Sequence, residues 1–337
     1  MTEEILNYLK RAITDERVLS EIHKNLVAGA VNSGEASSEN ELPEWFDKRF
    51  KESFVVLDEN DYARALIRAL WHAPKLASID FGGGRLRDFA QQWTDTARGY
   101  LGEIAVQKFF AEQFRYNKMY IDTRRGSVEE FMPSDILVRE EDGTVRKSKV
   151  KVSIKTGKFN ARWIEIPESQ FEQSDAFVLA KLGISRYHFS SYLKSLKTLE
   201  QLFELGKELK ELDADQIEKL SKEIPNWMPI PAYVSGFIER RNLRLPIHSI
   251  SFRAIRKRTK GVPLKESSIS SIELDGGIGM FSRESLEAWN EIKSLDLSPA
   301  APMTIAGIGK EVDGNFYASS GSLDFEKEKW NALLDKL

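Results

Sequence analysis

The apolar residues of this chain recur with two different periods, and the change from one to the other divides it. Over residues 1–31 they fall at helical spacing: Ile5, Leu9, Ala12 and Ile13, then Leu19, Ile22, Leu26 and Val27. Asn32 to Glu44 is rich in Ser, Glu, Asn and Gly and reads as an exposed linker. Asp58, followed by Asp61, suits the start of a helix that carries Ala65, Leu66, Ala69 and Leu70 and ends before Pro74. Gly82 to Gly84 mark a loop. Residues 88–114 then predict a long helix with Ala97, Leu101, Ile104, Ala105, Phe109 and Phe110 on its apolar stripe.

Beyond that helix the spacing shortens to the alternation of strands. Met119–Asp122 and Ser134–Arg139 are strand candidates, and Asp142-Gly143 is a hairpin signal leading into a returning strand over Lys149–Thr156. A short helix over 167–171 and a buried strand over 176–181 follow, so a mixed sheet flanked by helices is the simplest architecture. Residues 190–223 are helical with a break at Asp213, which can cap a second helix together with Gln216. The series Leu196, Leu199, Leu202, Phe203, Leu205, Leu209 and Leu212 reads as core, with a dimer helix as the other reading. Residues 230–280 suggest strands, 283–294 a helix, 303–318 a hairpin around Asp313-Gly314, and 323–337 a final helix. The expected organisation is a helical region (1–92), an α/β core (93–185) and an α+β region (186–337).

Composition narrows the chemistry. With 337 residues, 41% hydrophobic and 30% charged, the chain has the make-up of a soluble globular protein of two or three domains. No run approaches the ~18 apolar residues of a membrane span, and the N-terminus lacks the apolar stretch of a secretory signal. The absence of cysteine excludes disulfides, thiolate metal sites and cysteine nucleophiles, and suits a reducing, cytoplasmic setting. The four histidines are far apart, in no zinc-binding spacing. A net charge of -3 hides two basic strips: residues 143–158 hold six Lys/Arg and no acid, and 239–260 hold eight against the single Glu239. Residues 204–223 carry seven acids and four lysines. Concentrated basic strips on a near-neutral body fit a DNA-gripping cleft; solvated faces are the bland reading.

The segment Lys149–Lys155 is the centre of the chemical argument. Strand alternation puts Val150, Val152 and Ile154 on one face and Lys151, Ser153 and Lys155 on the other. If Ser134–Arg139 pairs with this strand, Asp135 and Lys155 lie at the same end of the sheet. Glu168, thirteen residues after Lys155, opens the next helix and can return to that end; Glu103 is a fourth candidate from the 88–114 helix. Two carboxylates and a lysine converging in this way suit phosphodiester hydrolysis with Mg²⁺, which takes oxygen ligands and keeps waters. Each residue also has an ordinary reading: Asp135 as a turn residue starting a strand, Glu168 as a helix first-turn acid, Glu103 as a surface glutamate. Glu165 competes for the role of Glu168.

The order of Gly102-Glu103 in a helix, Ser134-Asp135 on a strand, Ser153-Ile154-Lys155 on a strand, Glu168 on a helix and then an apolar strand resembles the catalytic core of PD-(D/E)xK nucleases. More narrowly, it is similar to the restriction endonucleases with the SxK-x12-E variant, since twelve residues separate Lys155 from Glu168. The resemblance covers roughly residues 95–182. It implies a restriction-endonuclease-like α/β core in which Asp135 and Glu168 ligate Mg²⁺, Lys155 is the catalytic lysine, Ser153 replaces the usual acid, and Glu103 supports the site. Two departures stand out. The proline is one place early, in Pro133-Ser134-Asp135, and Lys158-Phe159-Asn160-Ala161-Arg162 replaces the Arg-acid-Arg triplet of relatives that read CCGG-like sites.

DNA contacts are expected from Lys158, Asn160 and Arg162, which lie between catalytic candidates, and from the strip Arg253, Arg256, Lys257, Arg258 and Lys260. The expectation is a Type II restriction endonuclease cutting double-stranded DNA at a specific sequence as a homodimer, with no membrane partner. The rivals are a structure-specific repair or junction nuclease of the same fold and a DNA-binding protein that does not cut.

Overall fold

A computed structural model of the chain describes residues 2–73, 88–122, 134–243, 250–256, 260, 261, 263, 269–280, 303–305 and 315–337. The first helical stripe is split into α1 (Thr2–Leu9) and α2 (Glu16–Asn32) by Asp15, whose carboxylate accepts from the backbone N–H groups of Arg17 and Val18 and caps α2. Helical turns over Leu42–Ser53 lead into β1 (Phe54–Leu57). The expected capping pair is present: Asp58 and Asp61 exchange side-chain and backbone bonds at the start of α3 (Glu59–His72). The long helix is α4 (Phe89–Phe114), with its whole expected stripe buried.

The strands that follow are β2 (Met119–Ile121), β3 (Ile136–Arg139), β4 (Val145–Lys147), β5 (Val152–Lys158) and β6 (Trp163–Ile166). The short helix α5 (Glu168–Phe171) separates β6 from β7 (Ala176–Leu182). Three helices, α6 (His188–Ser195), α7 (Thr198–Glu208) and α8 (Ala214–Glu223), precede β8 (Ile230–Glu239). Strands β9 (Ile250–Arg256), β10 (Ile269–Met280), β11 (Met303–Ile305) and β12 (Phe316–Ser319) and helix α9 (Lys327–Leu334) follow among the described residues.

The central sheet has the order β1-β8-β7-β5, antiparallel except for the parallel pair β5/β7. Its strands come from all three sequence segments. α4 lies across one face, where Leu101, Ile104 and Ala105 join Val152, Ile154 and Val178. α9 closes that core with Trp330, whose ring sits 4.6–5.6 Å from Phe109, Phe110 and Phe237. On the opposite face lie two further clusters, one of α1 and α2 with Phe159 and Tyr233, the other of Ile164, Phe171, Phe177 and Ile238. A sheet covered on both sides explains why all seven residues of β7 are buried. A second sheet, β11-β10-β12-β6 with β9 on β10, and a β2-β3-β4 meander flank it. The fold is mixed α/β, a mixed sheet between helices. Among the described residues no helix is long and apolar enough to cross a membrane.

Several expectations are corrected. Residues 32–44 are no exposed linker: Ser33 and Ala36 are buried, and the Glu35 carboxylate is fully enclosed against Lys181 at 2.6 Å. Composition cannot show this, because a polar stretch is drawn inward only by a partner far away in sequence. The Asp142-Gly143 turn exists, with Gly143 at φ 83°, but the returning strand is β4; Lys149–Thr156 does not form the other arm, and β5 pairs with β7 instead. The 190–223 helix breaks twice, at Lys197 (φ 60°) as well as at Asp213. Of its leucines, Leu199 is buried, whereas Leu196, Leu202, Leu205 and Leu209 are exposed, and so is Leu70 on α3. The 303–318 stretch is no hairpin: β11 and β12 both pair with β10 and not with each other. The Gly82–Gly84 loop, the 283–294 helix and the Asp313-Gly314 turn lie outside the described residues.

Candidate active site at the edge of β5

β5 pairs with β7 on one side, and its outer side is closed by the two residues before β3. The Asp135 N–H donates to Val152 O at 2.9 Å, and Ser134 Oγ accepts from the Val152 N–H at 3.2 Å. This stitch replaces the strand pairing expected from the sequence. It delivers the Asp135 carboxylate to the strand edge, where Oδ2 accepts from the Ile154 N–H at 2.5 Å and from Ser153 Oγ at 3.3 Å. Ser153 is therefore a positioning residue for Asp135.

Glu103 approaches from α4. The glycine before it allows this: a Cβ on Gly102 would lie 1.8 Å from Thr156 Oγ1, so only glycine lets the helix run this close to β5. Lys155 projects on the far side of the strand from Ile154 and Thr156, and its Nζ donates to Gln170 Oε1 on α5. Gln170 is placed by the Pro167 carbonyl, which accepts its backbone N–H at 2.9 Å.

The electrostatics tie these groups together. Burial, then the Asp135 charge, pushes the Glu103 carboxyl well above the usual range, with the Arg68 cation opposing and Asp122 adding to the rise. Burial also raises Asp135, against the Ile154 hydrogen bond and the Lys155 charge. Lys155 is lowered by burial, with Asp135 and Glu165 opposing. Arg68, Glu103, Asp135, Lys155 and Glu165 are thus linked as a row at the sheet edge, with two neighbouring acids, Glu103 and Asp135, between the cations Arg68 and Lys155. Acids held up and a lysine held down at one place are a feature of functional sites.

Glu168 does not join this row. It is exposed at the first position of α5, and the downstream acid whose charge reaches Lys155 is Glu165 on β6. Glu165 Oε1 accepts from Asn315 Nδ2 at 2.9 Å and from Tyr317 OH at 3.3 Å. The x12 spacing is met in the sequence, but the helix start turns Glu168 toward solvent. Three further residues were not foreseen. Asp122 follows from register, since β2 and β3 pair Ile121 with Ile136 and so carry Asp122 opposite Asp135. Gln170 lies two residues past Glu168 on the same short helix. Arg68 has no sequence signal, because the packing of α3 against α4 brings it to Glu103; among the described residues its buried Nη1 has no hydrogen-bond partner.

The expected DNA contacts lie around the end of β5 and on or after β9. Lys158 and Asn160 are exposed at and just past the end of β5, with Lys158 on the α4 side of the sheet. Arg162 is tied down, its Nε donating to Asn32 O at 2.8 Å. Arg253 and Arg256 lie on β9, Arg253 and Lys260 exposed; Lys257 and Arg258 fall outside the described residues.

Among the described residues no group of three or more Asp, Glu or His is arranged to hold a metal ion. Mg²⁺ needs only one or two protein carboxylates and takes its other oxygens from water and phosphate; Glu103 and Asp135 are the neighbouring acids at this edge. Searches of protein-family models, characterised proteins and solved structures find no match to this chain.

Proposed function

We propose that this protein is a Mg²⁺-dependent endonuclease of DNA with a restriction-endonuclease-like core, its cutting centre built from Glu103, Asp135 and Lys155. The observation that carries the reading is Asp135, hydrogen-bonded to Ser153 and Ile154 at the edge of β5 with Glu103 on one side and Lys155 on the other within electrostatic reach.

Asp135 and Glu103 are the carboxylates suited to hold the metal, a role that passes to Glu103 from the exposed Glu168. Bound Mg²⁺ would polarise a phosphoryl oxygen and acidify a water. Lys155, held by Gln170 and flanked by Asp135, places an ammonium where negative charge develops on the phosphate. Its neighbour Glu165 keeps that ammonium charged against burial. The Ser153 hydroxyl and the Ile154 N–H fix the carboxylate of Asp135, so geometry is set before substrate arrives. Site-specific restriction of duplex DNA by a homodimer is the finer form of this proposal.

The test is digestion of plasmid and phage DNA by the full chain. Mg²⁺-dependent cleavage that EDTA abolishes, and that Asp135→Asn and Lys155→Ala lose while still binding DNA, supports the nuclease. Discrete fragments support sequence-specific cutting, and a smear supports cutting by structure. A protein that binds DNA with no Mg²⁺-dependent cleavage refutes the enzyme and leaves the binding protein.

A further inference from the structure

Between α3, α4 and the segment after β7 lies a pocket of about 230 Å³. Its walls include Tyr62, Leu101 and Phe189, and Arg98, Lys158 and Arg186 stand among its lining residues. It opens beyond the carboxyl ends of the parallel strands β5 and β7, the place where open α/β sheets bind ligands. Arg98 precedes Glu103 by five residues on α4, about 7.5 Å along the helix axis and about 140° around it, so the pocket and the proposed cutting centre draw on different faces of the same helix.

We propose that this pocket takes one unpaired nucleotide of the DNA substrate, the base between Tyr62 and Phe189 and the adjoining phosphates on Arg98, Lys158 and Arg186. The inference rests on the nuclease reading and narrows its substrate class. Three arguments carry it. First, an aromatic and aliphatic floor with a cationic surround matches a nucleotide, which stacks through its base and is held through its phosphate. Second, the pocket is smaller than the roughly 300–1,000 Å³ of drug-sized ligand sites, so it suits a single base and not a stacked pair. Third, the cations are available. Lys158 is exposed, while the Arg98–Asp95 (3.1 Å) and Arg186–Glu21 (3.8 Å) pairs leave Arg98 partly and Arg186 mostly in solvent, where a phosphate can displace a carboxylate. A nuclease with such a pocket prefers DNA that carries an unpaired base, or that yields one at low cost.

The full chain in EDTA, where it does not cut, is titrated by fluorescence anisotropy with two labelled duplexes. They share one sequence, and one has a single central unpaired nucleotide. The expected result is binding at least tenfold tighter to the duplex with the unpaired nucleotide. That preference should fall below threefold in Phe189→Ala and in the surface double variant Arg98→Gln/Lys158→Gln; the second keeps the test valid if the first misfolds. In the double variant the dependence of affinity on salt should also weaken by about two phosphate contacts. Equal binding of the two duplexes, or a preference that survives both variants, overturns the pocket and leaves the nuclease reading standing. Absence of binding to either duplex overturns both. Mg²⁺-dependent cleavage that persists in Asp135→Asn refutes the cutting centre by itself.

Discussion

Gly102 and Thr156 touch so closely that the side chain of one occupies the space a methyl group on the other would need: a Cβ on Gly102 would lie 1.8 Å from Thr156 Oγ1. Glu103 and Lys155 are their immediate neighbours, so this contact sets the distance between the two elements that supply the proposed site. Gly102→Ala must push α4 away from β5. It is expected to cost about 1–3 kcal/mol of stability and to reduce cleavage by more than its effect on folding explains. Adding Thr156→Ala removes the nearest obstructing atom and should recover part of both losses. Urea denaturation and cleavage rates of the two single variants and the double read this directly.

Glu165 and Glu168 stand differently toward Lys155: the charge of Glu165 acts on its ammonium, and Glu168 is exposed at the start of α5. Glu165→Gln removes a charge that supports the Lys155 ammonium and changes the partner of Asn315 and Tyr317, so cleavage should fall at least tenfold. Glu168→Gln alters an exposed helix start and should leave cleavage within about twofold. A reversed ranking in a Mg²⁺ cleavage assay would restore the SxK-x12-E assignment.

Glu35 is the centre of a buried network. Its carboxylate accepts from Lys181 Nζ at 2.6 Å, Ser235 Oγ at 2.8 Å, and Tyr233 OH and Trp45 Nε1 at 2.9 Å. Burial alone would raise its pKa, but the Lys181 and Arg49 cations hold it well below the usual range. Glu35→Ala strands a buried ammonium and should cost about 3–5 kcal/mol. Adding Lys181→Ala should cost far less than the sum of the single losses, which chemical denaturation of all three variants would show.

His188 gives the protein an acid sensitivity. Burial lowers its pKa to about 4, and its Nδ1 lies 3.0 Å from both the Ser185 N–H and Ser185 Oγ. The unfolded chain binds a proton near pH 6.5 that the folded chain refuses until about pH 4. Stability is therefore full above pH 6.5 and is lost as pH falls through that window, by about 3 kcal/mol from this group. Denaturation midpoints at pH 7 and pH 4.5 should differ less in His188→Leu than in the natural protein; an unchanged difference would remove His188 as the cause.

The deep core can be probed at Trp330. Its ring fills the space between Phe109, Phe110 and Phe237, so Trp330→Ala should cost about 3–5 kcal/mol. A drop in thermal midpoint together with retained Mg²⁺-dependent cleavage at low temperature would locate its role in packing.

The sequence by itself determined the local elements and the chemical inventory. The stripe of α4, the Asp58/Asp61 and Asp213/Gln216 caps and the alternation of Val152, Ser153, Ile154 and Lys155 follow from periodicity and short-range hydrogen bonds, which depend only on neighbouring residues. They placed Asp135, Lys155 and Glu103 among the candidates. Only the tertiary structure decided which residues meet. The stitching of Ser134 and Asp135 to the edge of β5, the placing of the Glu165 charge near Lys155 and the arrival of Arg68 and Asp122 all depend on contacts across long sequence separations. So does the burial of Glu35, in a stretch whose composition reads as linker. A polar residue goes inward only when a distant partner repays its desolvation, and no local pattern records where that partner is.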